Sequence, residues 1–122
     1  MRHHLSFCDI EQLSDNVFES IAKDGITLDK KCADESWIFW QHVREKPFGL
    51  LINCKIPFHY SFEGAQEIGK HPLQQKTAIL LNNNESNAEI KMAIDIKNST
   101  GEDTPHQFFS NRNEAIEWLS EI

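Results

Sequence analysis

Two uninterrupted apolar runs constrain what this chain can fold into more than any other feature. Phe48-Gly49-Leu50-Leu51-Ile52-Asn53-Cys54 and Lys76-Thr77-Ala78-Ile79-Leu80-Leu81 do not alternate apolar with polar residues. A strand with one wet face alternates, whereas a strand packed on both faces does not. Strands of that second kind belong to parallel sheets covered by helices. The rest of the sequence supplies the covering helices and the remaining strands.

Leu5 and Phe7 alternate with His4, Ser6 and Cys8 and predict a half-buried strand. Gln12 to Asn16 supplies a turn, and Val17 to Ala22 predicts a second strand antiparallel to the first. Lys23-Asp24-Gly25 closes it, glycine being the residue that tolerates positive φ. Thr27 or Asp29 caps a long helix to about Arg44, where Lys46-Pro47 stops it. Leu28, Cys32, Phe39 and Val43 form one apolar stripe of that helix, and Ala33, Trp37 and Trp40 the adjacent one. Pro57 to Ser61 reads as a loop, and Phe62 to about Lys70 as a short helix. After the second run, Asn82-Asn83-Asn84 breaks the strand, and Ser86 or Asn87 caps a helix through Lys97. A polar loop leads to a last strand, His106 to Phe109. Ser110 or Asn111 then caps a final helix with Ala115, Trp118, Leu119 and Ile122 on one face. The order β-β-α-β-α-β-α-β-α predicts an α/β fold, with a mixed, partly parallel sheet, right-handed crossovers and about four helices. At 122 residues the chain is expected to form a single domain over 1–122.

Composition narrows the function classes. Twelve Lys and Arg against 19 Asp and Glu give a formal charge of −7, which repels phosphate backbones and anionic lipid surfaces. No nucleic-acid partner is expected. No apolar run approaches the roughly 20 residues of a membrane span. The segment MRHHLSFCDIEQLSD lacks the apolar core of a secretory signal, so a cytoplasmic location is expected. Cys8, Cys32 and Cys54 are odd in number, widely spaced and without a C-x-x-C pair, which fits reduced thiols rather than a disulfide framework or a zinc site. No two of the six histidines lie at the i, i+4 spacing of a helical ligand pair, and no metal or cofactor is expected. Cys54 and His59 read as a buried thiol ending a strand and an exposed loop histidine, in preference to a nucleophile pair. The glycine-rich, nucleophile-elbow and zinc-helix motifs of common enzymes are missing, so no catalytic residue is assigned.

Two groups of residues are candidates for binding. In open α/β sheets function gathers beyond the carboxyl ends of the parallel strands. That rim comprises Lys55, His59, Tyr60 and Ser61, then Asn82, then Ser110 and Arg112. Ser61 stands at the start of the second helix, where it serves as an N-cap or as an acceptor of phosphate. The second group is aromatic: Trp37, Phe39 and Trp40, with Phe58. Helical spacing favours core packing for the first three, and lining of an apolar ligand site is the competing use.

Three stretches resemble a known family. Phe108 to Leu119, FFSNRNEAIEWL, is similar to the terminal strand-turn-helix of SpoIIAA-like proteins of the STAS superfamily, in the STAS/SEC14-like branch of small single-domain proteins. Phe48 to Gly69, FGLLINCKIPFHYSFEGAQEIG, followed by KTAILL, looks like the strand-loop-helix-strand centre of the same family. The resemblance implies a SpoIIAA-like (STAS) fold and a regulatory or protein-interaction module. In the anti-sigma-factor antagonists of this family a serine at the start of the second helix is phosphorylated, and Ser61 occupies about that position. Here the segment reads Tyr60-Ser61-Phe62-Glu63, without the acidic neighbour and glycine of those antagonists. Distant fold relatives include the CRAL-TRIO lipid carriers, which implies the alternative of a small apolar or lipid ligand lined by Trp37, Phe39, Trp40 and Phe58. The expected partner is therefore another protein, or else such a ligand, with the chain a monomer or weak homodimer.

Overall fold

The computed structural model describes residues 2–56, 58–67, 71–81 and 106–121. In chain order its elements are β1 (Arg2–His4), β2 (Cys8–Ser14), β3 (Val17–Ala22), β4 (Thr27–Leu28), α1 (Lys30–Val43), β5 (Phe48–Asn53), β6 (His59–Tyr60), α2 (Phe62–Glu67), β7 (Gln74–Leu80), β8 (His106–Phe109) and α3 (Arg112–Leu119). Six strands form one sheet in the order β1-β2-β3-β5-β7-β8, and β4 pairs with β6 in a separate two-stranded parallel ladder. β1, β2 and β3 run antiparallel to one another, while β3, β5, β7 and β8 are mutually parallel.

Both apolar runs are central strands, and their lack of alternation has the expected cause. Phe48, Leu50 and Ile52 of β5 and Ile79 of β7 pack with Trp40 of α1 in one core cluster. Leu51 of β5, and Ala78 and Leu80 of β7, pack on the opposite face with Ala115 and Leu119 of α3. Register locks the two faces: Leu50 lies opposite Phe18 and Thr77, and Ile52 opposite Ser20 and Ile79.

The helix starts follow local chemistry. Asp29 caps α1 by accepting from the Cys32 N–H at 3.1 Å, and Asn111 caps α3 by accepting from the Glu114 N–H at 3.0 Å. Gly25 turns the chain at φ 70°, where a side chain would be strained. Gly64 has a steric role instead. A Cβ there would lie 2.0 Å from the Leu28 carbonyl oxygen, so only glycine lets α2 sit against β4.

The structure corrects several boundaries. The first long strand is Cys8–Ser14 rather than the Leu5 to Cys8 stretch, and the turn before β3 is confined to Asp15 and Asn16. Leu5 and Phe7 are buried without being in a strand: the Leu5 N–H donates to the Cys8 carbonyl at 2.8 Å, and the Ser6 N–H donates to the Glu35 carboxylate at 2.8 Å. The segment is thereby folded under α1 as a tight turn. β1 and the β4–β6 ladder are additional strands, because Tyr60 and Leu28 align only through tertiary contact. Val43 is 39% exposed rather than part of the apolar stripe, since the inward face of α1 runs through Cys32, Ala33 and Trp40. Three helices lie among the described residues, and the fourth, expected from Ser86 or Asn87 through Lys97, falls outside them.

Candidate functional site

The inward face of α1 carries small residues where a packed helix would carry large ones. Ala33, Ser36, Trp37 and Trp40 recur at i, i+3, i+4 and i+7, and Ala33 and Ser36 present just a methyl and a hydroxymethyl group to the space beside the indoles. The result is a cavity between α1 and the strands. Its walls are Phe7, Cys8 and Ile10 of β2 and the turn before it, Ser20 and Ala22 of β3, Leu28 of β4, Leu50 and Ile52 of β5, and Phe58 with Tyr60 of β6. Glu67, His71 and Gln74 complete it. The cavity volume is about 40 Å³. Trp37 is 42% exposed, and Ser36 and Glu67 also reach solvent, which places the mouth between α1 and the end of α2.

The polar groups around the cavity are mostly committed. His71 uses both ring nitrogens: Nδ1 accepts from the Leu73 N–H at 3.1 Å, so Nε2 carries the proton toward the Gln41 side-chain oxygen at 3.0 Å. Burial holds its pKa below the ordinary 6.5, and the Trp37 indole lies over the ring at 4.8 Å. Gln74 donates to the Thr77 hydroxyl at 2.8 Å. The Cys8 thiol is pushed up to about 12 by burial, against the opposing effect of a hydrogen bond with Ser20. Tyr60 is also pushed up by burial, reinforced by Cys54 and Cys8, so its phenol keeps its proton. Among the described residues of the wall, the Cys8 thiol and the Tyr60 phenol are protonated and His71 has both ring nitrogens engaged. The arrangement suits holding a molecule. Among the described residues no group of three or more His, Cys, Asp or Glu converges to hold a metal ion.

The aromatic group expected to line a ligand site is divided. Trp37, Trp40 and Phe58 line the cavity, with Trp40 wedged between Phe18 at 5.2 Å and Phe48 at 4.3 Å. Phe39 does not line it. One hundred degrees of helical rotation per residue turn it toward β1, where its ring meets His3 at 5.0 Å.

The rim group is divided as well. His59 is exposed on β6, but Tyr60 is turned inward, 9% exposed, and belongs to the cavity wall rather than the rim. The cause is strand alternation: Phe58 and Tyr60 face in and His59 faces out. Ser61 caps α2, its Oγ accepting from the Gly64 N–H at 2.9 Å, while the Leu28 carbonyl accepts from the Ser61 N–H at 3.1 Å. On the other side of the sheet, Lys55 and Arg112 come together around Glu19. Arg112 binds both Glu19 oxygens, at 2.8 and 3.1 Å, and Asn53 donates to the same carboxylate at 3.0 Å. Burial pushes Glu19 up, but the bonds from Arg112 and Asn53 outweigh it and hold the carboxyl below its ordinary 4.5. Arg112 is thus a tie between α3 and β3. Ser110 is exposed in the turn before Asn111, which provides the actual cap. Asn82 lies outside the described residues.

Glu19, Ser36, His71 and Gln74 were not anticipated from sequence, and Glu67, which with Glu63 reads as the solvated face of the second helix, borders the cavity instead. Ser36 had a signal in its i+3 spacing from Ala33, and Tyr60 one in its alternation with Phe58. Glu19 had none, because its partner is 93 residues away.

No family model and no curated protein matches this chain. Among solved structures it is similar to an uncharacterised Shewanella loihica protein of the DUF3478 family, described as having a SpoIIAA-like fold. The TM-score is 0.54 at 16% sequence identity, over 92% of this chain and 91% of that one. The chain has a SpoIIAA-like fold. In this SpoIIAA-like chain the parallel strands β3, β5, β7 and β8 and the helices α1 and α2 place the cavity, and α3 closes the opposite face. Among the described residues no helix is long and apolar enough to cross a membrane.

Proposed function

We propose that this chain is a non-catalytic binding module that holds a small apolar ligand between α1 and the sheet. The observation that carries the reading is the cavity itself, lined by Trp37, Trp40 and Phe58 and kept open by Ala33 and Ser36 on the facing helix. Close packing is the rule in protein interiors, and apolar concavities with a few convergent polar groups are the usual form of ligand sites. Native mass spectrometry of the protein purified from its own cells tests it. A retained small molecule is expected, and it should be lost in Ser36→Leu, which fills the cavity from α1. A spectrum that is empty in repeated preparations contradicts the reading.

A second reading, a regulatory protein-interaction module controlled through Ser61, is favoured by the surface beside that residue. Phe62, the next residue in the chain, is 62% exposed. A phosphate on Ser61 would place charge at this apolar surface and displace the cap on Gly64. Ser61→Asp should weaken a verified partner complex while Ser61→Ala leaves it in place. Equal binding by both variants sinks the switch.

A further inference from the structure

Tyr60 is the feature of the cavity that neither packing nor the fold accounts for. Among the described residues two buried side-chain polar atoms lack a hydrogen-bond partner, Arg44 Nε and the Tyr60 hydroxyl, and of the two residues Tyr60 is the one in the cavity wall. Buried hydroxyls nearly always find partners, because leaving one unmade forfeits the water it gave up. The neighbours do not supply it. Phe58 meets the ring edge-on at 5.5 Å, His71 has spent both nitrogens, and Gln74 gives its amide N–H to Thr77.

We propose that the Tyr60 hydroxyl is the recognition group of this cavity, and that the ligand is a small neutral molecule with an apolar body and one hydrogen-bond acceptor, a carbonyl or ether oxygen. This rests on the cavity being a ligand site, as argued above. The acceptor follows from what is missing, since the phenol has a proton to give and burial keeps that proton in place. Neutrality follows from the wall. Among the described residues no Lys or Arg lines the cavity, so an anion would enter without a partner. A buried charge without a partner is strongly unfavourable. Size follows from the space: about 40 Å³ is well below the roughly 150 Å³ that holds a benzene ring. The resting space therefore takes only one or two heavy atoms, and a larger body enters as the half-exposed Trp37 swings outward.

The test uses two probes of matched size, butanone and butanoate, titrated into the wild-type protein and Tyr60→Phe. The readout is the indole N–H signals of the three tryptophans. Butanone should move Trp37 and Trp40, which line the cavity, and leave Trp118, on the α3 face, unmoved. Its affinity should fall about tenfold in Tyr60→Phe, the worth of one hydrogen bond, and butanoate should produce no shift. Tyr60→Phe keeps the ring and loses only an unpartnered oxygen, so it should unfold at no lower temperature than wild type. The comparison of the two probes on the wild-type protein stands without that variant. Equal binding of butanone by both proteins, or butanoate binding as tightly as butanone, overturns the ligand class. No shift with either probe also overturns it, while a ligand retained in the native spectrum would keep the binding function standing.

Discussion

Removing the Arg112 guanidinium should expose how much the tie between α3 and β3 depends on one buried carboxylate. Arg112→Ala leaves Glu19, whose side chain is 7% exposed, with Asn53 as its remaining donor. Breaking a fully buried pair this way costs about 3–5 kcal/mol, and breaking an exposed one at most about 1 kcal/mol. The Arg112 side chain is 44% exposed, so water replaces part of what is lost and the expected figure lies between, about 2 kcal/mol. For a chain of this length that lowers the melting temperature by roughly 8 °C. Urea unfolding at pH 7 measures it, and pH supplies an internal check. The folded-state pKa of Glu19 lies below 4.5, so the pair's contribution is fully present above pH 4.5 and is lost as pH falls through the folded value. The gap between wild type and Arg112→Ala should therefore narrow below pH 4.5. Glu19→Gln added to Arg112→Ala should recover part of the loss, because an amide is easier to bury than an unpaired carboxylate. A loss under about 0.5 kcal/mol, or no recovery in the double variant, would refute the reasoning.

Three further predictions come from named contacts. Gly64→Ala should destabilise the protein by about 3 kcal/mol in urea unfolding, since its methyl meets the Leu28 carbonyl at 2.0 Å and backbone must move. His71 resists protonation when folded, so stability should decline as pH falls through 6.5, and His71→Gln should flatten that decline in melting temperatures measured from pH 7.5 to 5. Cys8 and Cys54, both buried with thiols pushed up to about 12, should react with a thiol reagent at pH 8 only after unfolding, and rapid labelling of the native protein would contradict their placement.

What the sequence shows of this fold is what local chemistry can encode. The two apolar runs announce covered strands because burial on both faces removes alternation, and Asp29, Asn111 and Gly25 announce their caps and turn because those side chains, or the lack of one, act within three residues. The misreadings have a common origin in contacts between distant segments. Leu5 and Phe7 alternate like a strand, yet they are buried by a turn that Glu35 holds from α1, 29 residues away. The β4–β6 ladder pairs Leu28 with Tyr60 and has too few residues to leave a pattern. Position after the last strand puts Arg112 on the rim, and what the sequence leaves unseen is its partner Glu19, which sits among the apolar residues of β3. The candidate site was half legible: the aromatic residues of α1 were visible, whereas the room beside them comes from Ala33 and Ser36, whose small size attracts no attention in a composition.

A crystal structure of the protein purified from its own cells, without added ligand, tests the account most directly. The account predicts compact density between Trp37 and Tyr60, with one atom within hydrogen-bonding distance of the Tyr60 hydroxyl. A cavity closed by inward movement of Trp37, with the Tyr60 hydroxyl bonded to a protein group, would contradict it.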